Sequence, residues 1–510
     1  MHPKIVDLEN LASLCASLKN QGKTVVHCHG CFDLVHPGHI KHFEAAKRKG
    51  NILLVTITED KFVDKGPGRP VFGEELRAET IAALESVDYV AINRAPTAIP
   101  VIEQIKPDYY VKGQEYKDFR NDVTGQIVNE KAAVEKSGGK MIFTEEMQFS
   151  SSRLINKYLA FEDKGVNEYL QGIKGKFSFC DIERRFAEIQ NYEVLIVGDI
   201  ILDEYQFVQP LGKSSKSANI TARILDRELY AGGVLAVANH IANFAGKVTL
   251  VSTYGENSGI NYHDFIRRHL HPKIEFSCIH VKDRPTTVKR RFIDNSFKGK
   301  IFEVIEINDA PLGAEENNRL LAMLGKTLNR KIDVAVAADF GHGILDLSVI
   351  DYLCDNPCFL AISAQTNSAN IGYNLLTKYS RCDYFCIDKD EARLAVHDKI
   401  SDIQTIHSRL MKSTGADTGC VTLGIEGSMV GSKESPVLTH APVLSHEVLD
   451  TIGAGDAFFA VTSLLVKAGA SIEEVAFIGN AVGAMAVKIL GNKASIQKTS
   501  LLKYVKTLLA

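Results

Sequence analysis

The chain has 510 residues, a net charge of −3 and 24% charged residues. This length exceeds what one ordinary hydrophobic core supports, so it predicts at least two domains. Binding to nucleic acid or to an anionic membrane needs clustered Lys and Arg, so the balanced charge favours small-molecule substrates and argues against nucleic-acid and membrane partners. No apolar run is long enough to cross a bilayer and no charged-then-apolar leader opens the sequence, so we expect a cytoplasmic protein.

Cysteine usage points the same way. The ten cysteines are spread along the chain without the dense spacing of a secreted disulfide framework. Cys28 and Cys31 form a C-x-x-C pair, but no second pair with matching spacing follows, and other cysteines fall in or beside apolar segments. We therefore predict buried structural thiols and no bound zinc.

The first part of the chain alternates short apolar strands with amphipathic helices, which predicts a parallel sheet with helices on both faces. Strands are expected over residues 24–28, 52–58, 89–92, 109–111 and 141–144, and helices over 40–49, 78–87 and 151–159. Ligands of such sheets bind where the strands end. The first domain is expected to cover residues 1–160.

A polar segment at residues 161–192, including a charged helix near Asp181 to Gln190, reads as a linker and lead-in helix. An apolar strand over 194–197 then begins a second α/β domain, residues 193–510. Two segments, 222–230 and 286–305, are rich in strand formers and are expected to form a small β lid over a ligand. The predicted fold class is therefore α/β, with two doubly wound domains.

The first candidate site is the motif His36-Pro37-Gly38-His39, which follows a predicted strand and opens a predicted helix. The helix N-terminus and both imidazoles would converge where a triphosphate can lie. Histidine donors can stabilise charge on the oxygens of a pentavalent phosphorus, so positioning and electrostatics suffice for catalysis.

The segment Gly30 to His39 resembles the fingerprint of the nucleotidyltransferase superfamily, which includes cytidylyltransferases and the adenylyltransferase half of ADP-heptose synthases. The resemblance extends to a Lys-containing loop at Lys65, to a Val-Lys-Gly turn and to a serine-rich turn before the last helix of the domain. It implies catalytic roles for His36, His39 and Lys65. It also implies nucleotide or phosphate binding by Gly30, Phe32, Asp33, Gly38, Lys112, Gly113, Ser151, Ser152 and Arg153. His29 stands where the family commonly has Asn.

The second candidate site is Gly453-Ala454-Gly455-Asp456, which precedes a long apolar stretch that reads as a helix. Backbone N–H groups at such a helix start form an anion hole for a moving phosphoryl group. Asp456 is placed to take the proton from the attacking hydroxyl.

From about Val194 to the C-terminus the chain resembles the ribokinase family of carbohydrate kinases. The resemblance implies that Asp456 is the catalytic base, that Asp388 and Glu391 act indirectly on magnesium, and that two further groups bind ligands. The sugar-binding group is Asp199, Asp203, Gly232, Gly233 and Asn239. The nucleotide-binding group is Thr422, Gly424, Gly427, Gly453, Ala454, Gly455 and Asn480. Heptokinase relatives carry Asp-Pro-Lys after a central strand, where this chain has Ser363-Ala364-Gln365.

Together the two resemblances imply a bifunctional sugar kinase and sugar-phosphate nucleotidyltransferase that makes a nucleotide-activated, heptose-like sugar for surface glycans. They imply Mg²⁺, with ATP and a second nucleoside triphosphate, ATP or CTP, as substrates. One alternative is a cytidylyltransferase fused to a kinase of another sugar or polyol, giving a CDP-linked product. Another is a kinase domain that binds a sugar without phosphorylating it. By resemblance alone, a homo-oligomer is expected.

Overall fold

The computed structural model describes residues 2–63, 69–117, 122, 126–144, 164–214, 216, 219–296, 299–435, 437–445 and 447–509. Its contacts group the chain into two compact units. The first comprises Met1–Leu170 together with Thr499–Ala510, and the second comprises Gln171–Lys498. Four of the predicted site positions, Lys65, Ser151, Ser152 and Arg153, lie outside the described residues.

The first unit is an alternation of helices and strands. Its helices are α1 (Leu8–Asn20), α2 (Pro37–Lys47), α3 (Glu74–Ala82), α4 (Ile99–Ile105) and α5 (Gln126–Lys136), and α6 (Lys164–Ile173) crosses the boundary between the units. Its strands are β1 (Val25–Gly30), β2 (Ile52–Thr58), β3 (Tyr89–Asn93), β4 (Tyr109–Lys112) and β5 (Lys140–Phe143).

Within the described residues, these strands form one parallel sheet in the order β3-β2-β1-β4-β5. The order reverses between β1 and β4, where Cys28 pairs with Val111. Most positions of the central strands β1 and β2 are buried, including consecutive residues that point to opposite faces of the sheet, as expected where helices cover both faces. The reversal leaves a crevice at the carboxyl ends of β1 and β4, and this crevice positions the first candidate site.

The second unit contains a longer set of elements. Its helices are α7 (Phe179–Ile189), α8 (Val234–Ala242), α9 (His263–His269), α10 (Ala314–Leu328), α11 (Leu347–Asp355), α12 (Lys389–Ala395), α13 (Ile403–Thr414), α14 (Ala454–Lys467) and α15 (Ile472–Ala486). The last helix of the chain, α16 (Lys498–Leu509), groups from Thr499 onward with the first unit. Its strands are β6 (Glu193–Gly198), β7 (Ile200–Lys213), β8 (Ile220–Gly233), β9 (Lys247–Tyr254), β10 (Glu256–Asn257), β11 (Ile260–Asn261), β12 (Ile274–His280), β13 (Thr287–Asp294), β14 (Lys300–Glu306), β15 (Val334–Asp339), β16 (Phe359–Ala364), β17 (Tyr384–Asp388), β18 (Thr418–Thr422), β19 (Ser428–Ser432) and β20 (Thr439–Ala441).

The main sheet of this unit runs β12-β9-β6-β15-β16-β17-β18-β19-β20 through the described part of the chain. Its pairs are parallel from β12 to β18, and β19 and β20 add antiparallel at one edge. The large apolar core of this unit lies against the central strands, with buried side chains such as Leu195, Val336 and Phe385. The α/β class predicted for both domains is confirmed.

A second sheet, which we call the lid sheet, runs β14-β13-β7-β8. The long hairpin β7–β8 pairs antiparallel, whereas β13 adds parallel to β7. The two strand-rich segments, 222–230 and 286–305, fall in this sheet. None of the described helices is long and apolar enough to cross a membrane.

One helix of the first unit lies earlier than the sequence pattern predicts. The expected helix over 78–87 is α3, which begins at Glu74 and ends at Ala82. Glu74 and Glu75 occupy its first turn, where carboxylates interact favourably with the helix dipole. Val87 fits the apolar spacing of the helix, but it is a buried residue of the segment that leads into β3. For this reason the apolar spacing alone predicted a helix that ends too late.

Candidate active sites

The helix α2 begins at the H-x-G-H motif, with His36 as its N-terminal cap and Gly38 in its first turn. The backbone N–H of His39 donates a hydrogen bond to Nδ1 of His36 at 3.3 Å, and the two rings stack with centres 3.9 Å apart. Burial lowers the pKa of His36, so its imidazole is neutral at pH 7. The motif therefore joins two imidazoles to a helix N-terminus, which favours a phosphate group.

The turn between β1 and α2 depends on one glycine and one strained residue. Phe32 has a positive φ of 46°, and its ring packs edge-on against the rings of His39 and Phe43. A Cβ atom at Gly30 would lie 3.0 Å from the Phe32 ring. Gly30 thus makes room for an aromatic side chain that packs against one motif histidine.

Asp33 is directed at the protein rather than at the crevice. Its Oδ1 accepts hydrogen bonds from the backbone N–H groups of Val71 at 2.7 Å and Phe72 at 3.2 Å. Its Oδ2 forms a buried ion pair with Arg69 at 3.5 Å. We therefore propose that Asp33 positions the loop before α3, because a carboxylate in these contacts is poorly suited to bind phosphate directly.

Sequence reasoning missed Arg77, one of the largest fully buried side chains. Its guanidinium donates hydrogen bonds to the carbonyl oxygens of Cys31 at 2.6 Å, Thr58 at 2.7 Å and Phe72 at 2.9 Å. This one side chain fixes the turn after β1, the end of β2 and the loop before α3. The available signal was its position in α3, where it falls on the same face as Ala78 and Ile81.

A cavity of about 230 Å³ lies at the carboxyl ends of β1 and β4. Its wall includes Gly30, Lys112 and, from α16, Lys503. The Lys112 ammonium forms an ion pair with Glu130 at 3.0 Å, and Gly113 follows as the N-terminal cap of a short 3-10 helix. The structure thus brings the turn after β1 and the Val-Lys-Gly turn to one cavity, as their places at neighbouring strand ends require.

Three further histidines surround this region, and the sequence analysis gave them no catalytic role. His27 and His29 both contact the Thr56 hydroxyl, at 2.8 Å and 2.9 Å, and His42 contacts Thr144 at 3.0 Å. Burial lowers the pKa of His29 to about 3 and that of His42 to about 4. Burial also lowers the pKa of His27 well below its usual value. All three rings are therefore neutral at pH 7, and His29 also lines the cavity.

The second site forms around the start of α14. Gly453 is the N-terminal cap with a φ of +79°, and a Cβ atom there would lie 2.2 Å from the side-chain oxygen of Asn492. Ala454 and Gly455 make the first turn. Both the backbone conformation and the close approach of Asn492 require glycine at position 453.

Asp456 follows in the first turn of α14 and is buried. Its Oδ1 accepts a hydrogen bond from Nε2 of Gln365 at 2.6 Å. Burial raises the pKa of Asp456 to about 6, with Asp203 raising it further and Lys289 opposing the shift. The hydrogen bond from Gln365 therefore positions the candidate base. Gln365 stands where heptokinase relatives carry Lys.

Asp203 lies on the inner face of the lid sheet. It forms an ion pair with Arg291 and accepts a hydrogen bond from Nδ2 of Asn492 at 3.1 Å. A Cβ atom at Gly232 would lie 2.1 Å from Oδ2 of Asp203, so only glycine fits beside this carboxylate. Asp203 thus lies beside the Gly-Gly segment and acts electrostatically on Asp456.

Asp199 has a different environment. Its oxygens accept hydrogen bonds from the backbone N–H groups of Phe340 at 3.0 Å, His342 at 3.3 Å and Ile344 at 3.4 Å. Burial, with Asp339 nearby, raises its pKa to about 6. Gly233 is the N-terminal cap of α8 and has a φ of +55°. A Cβ atom at this position would lie 2.7 Å from the Asp199 carbonyl oxygen. These contacts favour a role for Asp199 in holding the 340–344 loop.

Asn239 is another residue expected to bind sugar. Both the nitrogen and the oxygen of its side-chain amide form hydrogen bonds within the protein. It donates to the carbonyl oxygen of His269 at 2.8 Å and accepts from the backbone N–H of His271 at 2.8 Å. These bonds fasten the loop after α9 to α8. They favour a structural role, which the Gly-Gly spacing alone could not distinguish from ligand binding.

The predicted nucleotide side lies at the edge of the main sheet. Thr422 ends β18 and pairs with Ser428 of β19 across a turn that contains Gly424 and Gly427. Gly427 has a φ of +94°, and a Cβ atom there would lie 1.9 Å from the carbonyl oxygen of Ala441. Asn480 donates to the Ser428 hydroxyl at 2.6 Å, so α15 is bonded to this edge.

The two residues expected to act on magnesium cap α12. Oδ1 of Asp388 accepts from the backbone N–H groups of Asp390 and Glu391. Glu391 accepts from the N–H of Thr366 at 2.9 Å and from that of Asp388 at 3.0 Å. Burial, with Asp388 adjacent, raises the pKa of Glu391 to about 8. Across the described residues, no three His, Cys, Asp or Glu side chains are grouped so as to hold a metal by themselves.

Comparison with known proteins gives two family matches. Residues 27–157 match the cytidylyltransferase-like family, and residues 347–499 match the pfkB family of carbohydrate kinases. The chain carries a cytidylyltransferase-like region followed by a pfkB-like kinase region. This confirms both resemblances and their order along the chain. Helix α16, from position 500 onward, lies outside both matches.

Curated relatives cover the first region. The chain is 40% identical over 154 residues to the bifunctional protein HldE of Gluconobacter oxydans, covering 30% of this chain and 31% of that protein. It is 36% identical over 159 residues to the bifunctional protein HldE of Methylobacillus flagellatus, covering 31% of each. The chain thus matches about a third of the length of these relatives.

Solved structures resemble the second region. Escherichia coli phosphofructokinase-2 in complex with potassium matches with a TM-score of 0.50 and 15% identity, over 62% of this chain and 99% of that chain. The same enzyme in complex with substrates and products matches with the same TM-score, identity and coverage. At this identity the likeness establishes the fold of the region.

Proposed function

We propose that the chain makes a nucleotide-activated sugar in two reactions. The C-terminal site transfers a phosphoryl group from ATP to a heptose-like sugar phosphate, and the N-terminal site transfers a nucleotidyl group to a sugar phosphate. The main support for this proposal is that one chain contains two helix N-termini that can each bind a phosphate group. The two differ in the side chains that they carry. One bears a buried carboxylate, Asp456, and the other bears the stacked pair His36 and His39.

At the kinase site, Asp456 acts as the general base. With a pKa of about 6 it is mostly ionised at pH 7 and still basic enough to accept a proton from the acceptor hydroxyl. The backbone N–H groups of Ala454 and Gly455 stabilise charge on the transferring phosphoryl group. Asp203 contacts the sugar from the lid sheet, and Asn492 contacts it from the segment after α15.

At the nucleotidyltransferase site, no covalent intermediate is needed. The sugar phosphate attacks the α-phosphorus of the nucleotide, and pyrophosphate leaves. His36 and His39 lie at the N-terminus of α2, where their N–H groups can donate to the phosphate oxygens as negative charge increases. Lys112 borders the cavity where the substrates meet, and Gly113 follows it as the cap of the short 3-10 helix.

Mg²⁺ fits the kinase site in an indirect role. Asp388 keeps one carboxylate oxygen outside the helix cap, and Glu391 is a buried carboxyl whose pKa is raised by burial and by the adjacent Asp388. Mg²⁺ in kinases is held by one or two carboxylates together with nucleotide phosphates. When bound, it would neutralise charge on the phosphates of ATP.

The experiment uses the full-length chain and two single-site variants. Wild-type protein is assayed with ATP or CTP against heptose 7-phosphates, other sugars and sugar 1-phosphates. Asp456→Asn is expected to lower the kinase rate by about 100-fold or more and leave nucleotidyl transfer intact. His36→Ala should do the reverse.

The outcomes separate the alternatives. A product formed with CTP rather than ATP would identify a CDP-linked sugar. Nucleotidyl transfer without phosphorylation of any sugar would show that the second region only binds. If either variant lost both reactions while remaining folded, the two-site proposal would be wrong.

A further inference from the structure

The kinase site contains a cation that neither glycine motif predicts. Lys289 lies on β13 of the lid sheet, directly opposite Asp203 in the parallel register with β7. Side chains alternate between the two faces of a strand, so Lys289 and Arg291 share the inner face and Arg290 takes the other. Arg290 accordingly pairs with Glu204 at 2.9 Å and Glu306 at 2.9 Å.

Lys289 is electrostatically coupled to the candidate base. Asp203 and Asp456 both act on Lys289, and Lys289 in turn lowers the pKa of Asp456. Lys289 also contributes to lowering the pKa of His342, which burial brings to about 3. The lysine therefore lies in the cleft between the lid sheet and the main sheet of the second unit.

Three other cationic side chains near this cleft form ion pairs with carboxylates. Arg291 pairs with Asp203 and with Glu303, Lys300 pairs with Asp450 at 2.9 Å, and Lys378 pairs with Asp339 at 2.6 Å. By contrast, no described residue forms a hydrogen bond or an ion pair with the Lys289 ammonium. Burial lowers the pKa of Lys289, and the nearby carboxylates of Asp203, Glu303 and Asp456 oppose this shift without forming an ion pair with the ammonium.

A second polar group in the same cleft also lacks a partner. His342 is 3% exposed, and its Nδ1 has no hydrogen bond from any described residue. Buried polar atoms in folded proteins are nearly all satisfied, so an unsatisfied one beside an unpaired, partly desolvated cation indicates a place for a polar, anionic ligand.

We propose that Lys289 is a catalytic residue of the kinase site and that its ammonium contacts the transferring phosphoryl group. The position after β16 carries Gln365, a neutral residue already bonded to Asp456, so it cannot supply the positive charge that phosphoryl transfer requires. Lys289 supplies that charge from the lid sheet. This inference rests on the proposed kinase function.

The step balances as follows. The acceptor oxygen forms a bond to the γ-phosphorus of ATP as the bond from that phosphorus to the bridging oxygen breaks. The hydroxyl proton passes to Asp456, and ADP leaves with the bonding electrons. Lys289 remains protonated and stabilises negative charge on the phosphoryl oxygens throughout.

The test compares Lys289→Met and Lys289→Arg with wild type in the full-length chain, using ATP and the sugar phosphate that wild type turns over best. Loss of a preorganised donor to a transition state costs about 100- to 1000-fold in kcat. We expect a loss of this size for Lys289→Met, with the KM for sugar phosphate changed less than about threefold. Lys289→Arg keeps the charge and should retain more activity than Lys289→Met.

The pH dependence of kcat/KM separates a catalytic role of Lys289 from a structural one. Since Lys289 lowers the pKa of Asp456, its removal should shift the acid limb of kcat/KM to higher pH. The other groups facing Asp456 are Gln365, Asp203 and Glu391, and they are unchanged in the variant. Lys213→Met, at the exposed tip of the β7–β8 hairpin, is the matched control and should behave as wild type.

Several outcomes would overturn the inference. An unchanged kcat in Lys289→Met, or a loss confined to KM, would exclude a role in phosphoryl transfer. If Lys289→Met does not fold, judged by the melting temperature of the second unit, the test rests on folded Lys289→Arg: a loss of kcat of about 100-fold or more in this variant, which keeps the charge, would count against the inference. Absence of kinase turnover in wild type would instead defeat the proposed function itself.

Discussion

At the scale of single residues, the aspartates of the kinase site differ in their bonding partners. Asp199 and Asp203 both follow the first strand of the second unit, yet Asp199 binds three backbone N–H groups and Asp203 pairs with Arg291. Asp456 instead receives a single bond from a neutral amide. The difference matters because only a carboxylate without a cationic partner keeps a pKa high enough to act as a base near neutral pH.

The pKa of Asp456 sets the expected pH dependence of the kinase. A general base works only when ionised, so kcat/KM should fall about tenfold per pH unit below about pH 6 and level off above it. Steady-state rates between pH 5 and 8 would measure this. Nucleotidyl transfer by the same preparation is the internal control, because Asp456 does not belong to its site. An acid limb centred near pH 4 would contradict the assignment.

The second residue-scale prediction concerns Arg77. Replacing the buried Arg77 by Met removes the donor to three partly buried carbonyl oxygens, so we expect a loss of about 3–5 kcal/mol in the stability of the first unit. Denaturant unfolding would measure this loss. Arg48→Met is the control, since Arg48 is exposed and should cost less than about 0.5 kcal/mol.

Nucleotidyl transfer should also fall in Arg77→Met under conditions where the protein remains folded, because the turn that carries Cys31 loses its support. A stable variant with unchanged transfer rate would show that the turn is fixed by other contacts.

At the scale of elements, the kinase site joins a helix start to a separate sheet. Asp450, just before the glycine motif, accepts hydrogen bonds from the Tyr205 hydroxyl on β7 at 2.6 Å and from Lys300 on β14 at 2.9 Å. It also accepts from the backbone N–H of Ile452 at 3.2 Å and of Gly491 at 2.9 Å. One buried carboxylate thus fastens the lid sheet to the turn that leads into α14.

Asp450→Asn should loosen this attachment. The amide cannot balance the Lys300 charge, and its NH₂ group would face donors, so a loss of about 2–3 kcal/mol is expected. Hydrogen exchange should increase in the peptides covering β7 and β14, and the kinase rate should fall. Asp226→Asn, exposed on β8, is the control. Unchanged exchange in both strands would mean that Asp450 does not anchor the lid.

At the scale of the whole molecule, the C-terminal segment does not group with the unit that precedes it. Residues Thr499–Ala510 cluster with Met1–Leu170, and Lys503 lines the cavity of the first site. The buried face of α16 consists of apolar side chains and one tyrosine: Leu501, Leu502, Tyr504, Val505 and Leu508. Removing this helix should therefore affect the first unit.

Deleting residues 499–510 from the full chain tests this grouping. Burial of each large apolar side chain contributes about 1.5–3 kcal/mol, so the melting transition of the first unit should move to lower temperature. Nucleotidyl transfer should fall while kinase activity persists. Full-length Lys503→Gln is the control for the side chain alone. Loss of kinase activity with intact nucleotidyl transfer would assign α16 to the second unit instead.

The sequence by itself determined the α/β class and the places of the two glycine motifs. Both depend on local order, since a parallel sheet needs alternating strands and helices, and a phosphate site needs a helix that starts after a glycine-containing turn. The lid segments were also visible, because runs of strand formers without intervening helices cannot continue a βα alternation.

Only the tertiary structure decided which side chains meet. The bonds of Gln365 to Asp456, Asp203 to Arg291, and Arg77 to Cys31 join residues 91, 88 and 46 positions apart. Their partners are set by strand register and by packing between elements, which leave no local periodicity in the sequence. The same reason explains why the unpaired Lys289 became visible only when β13 was placed beside β7.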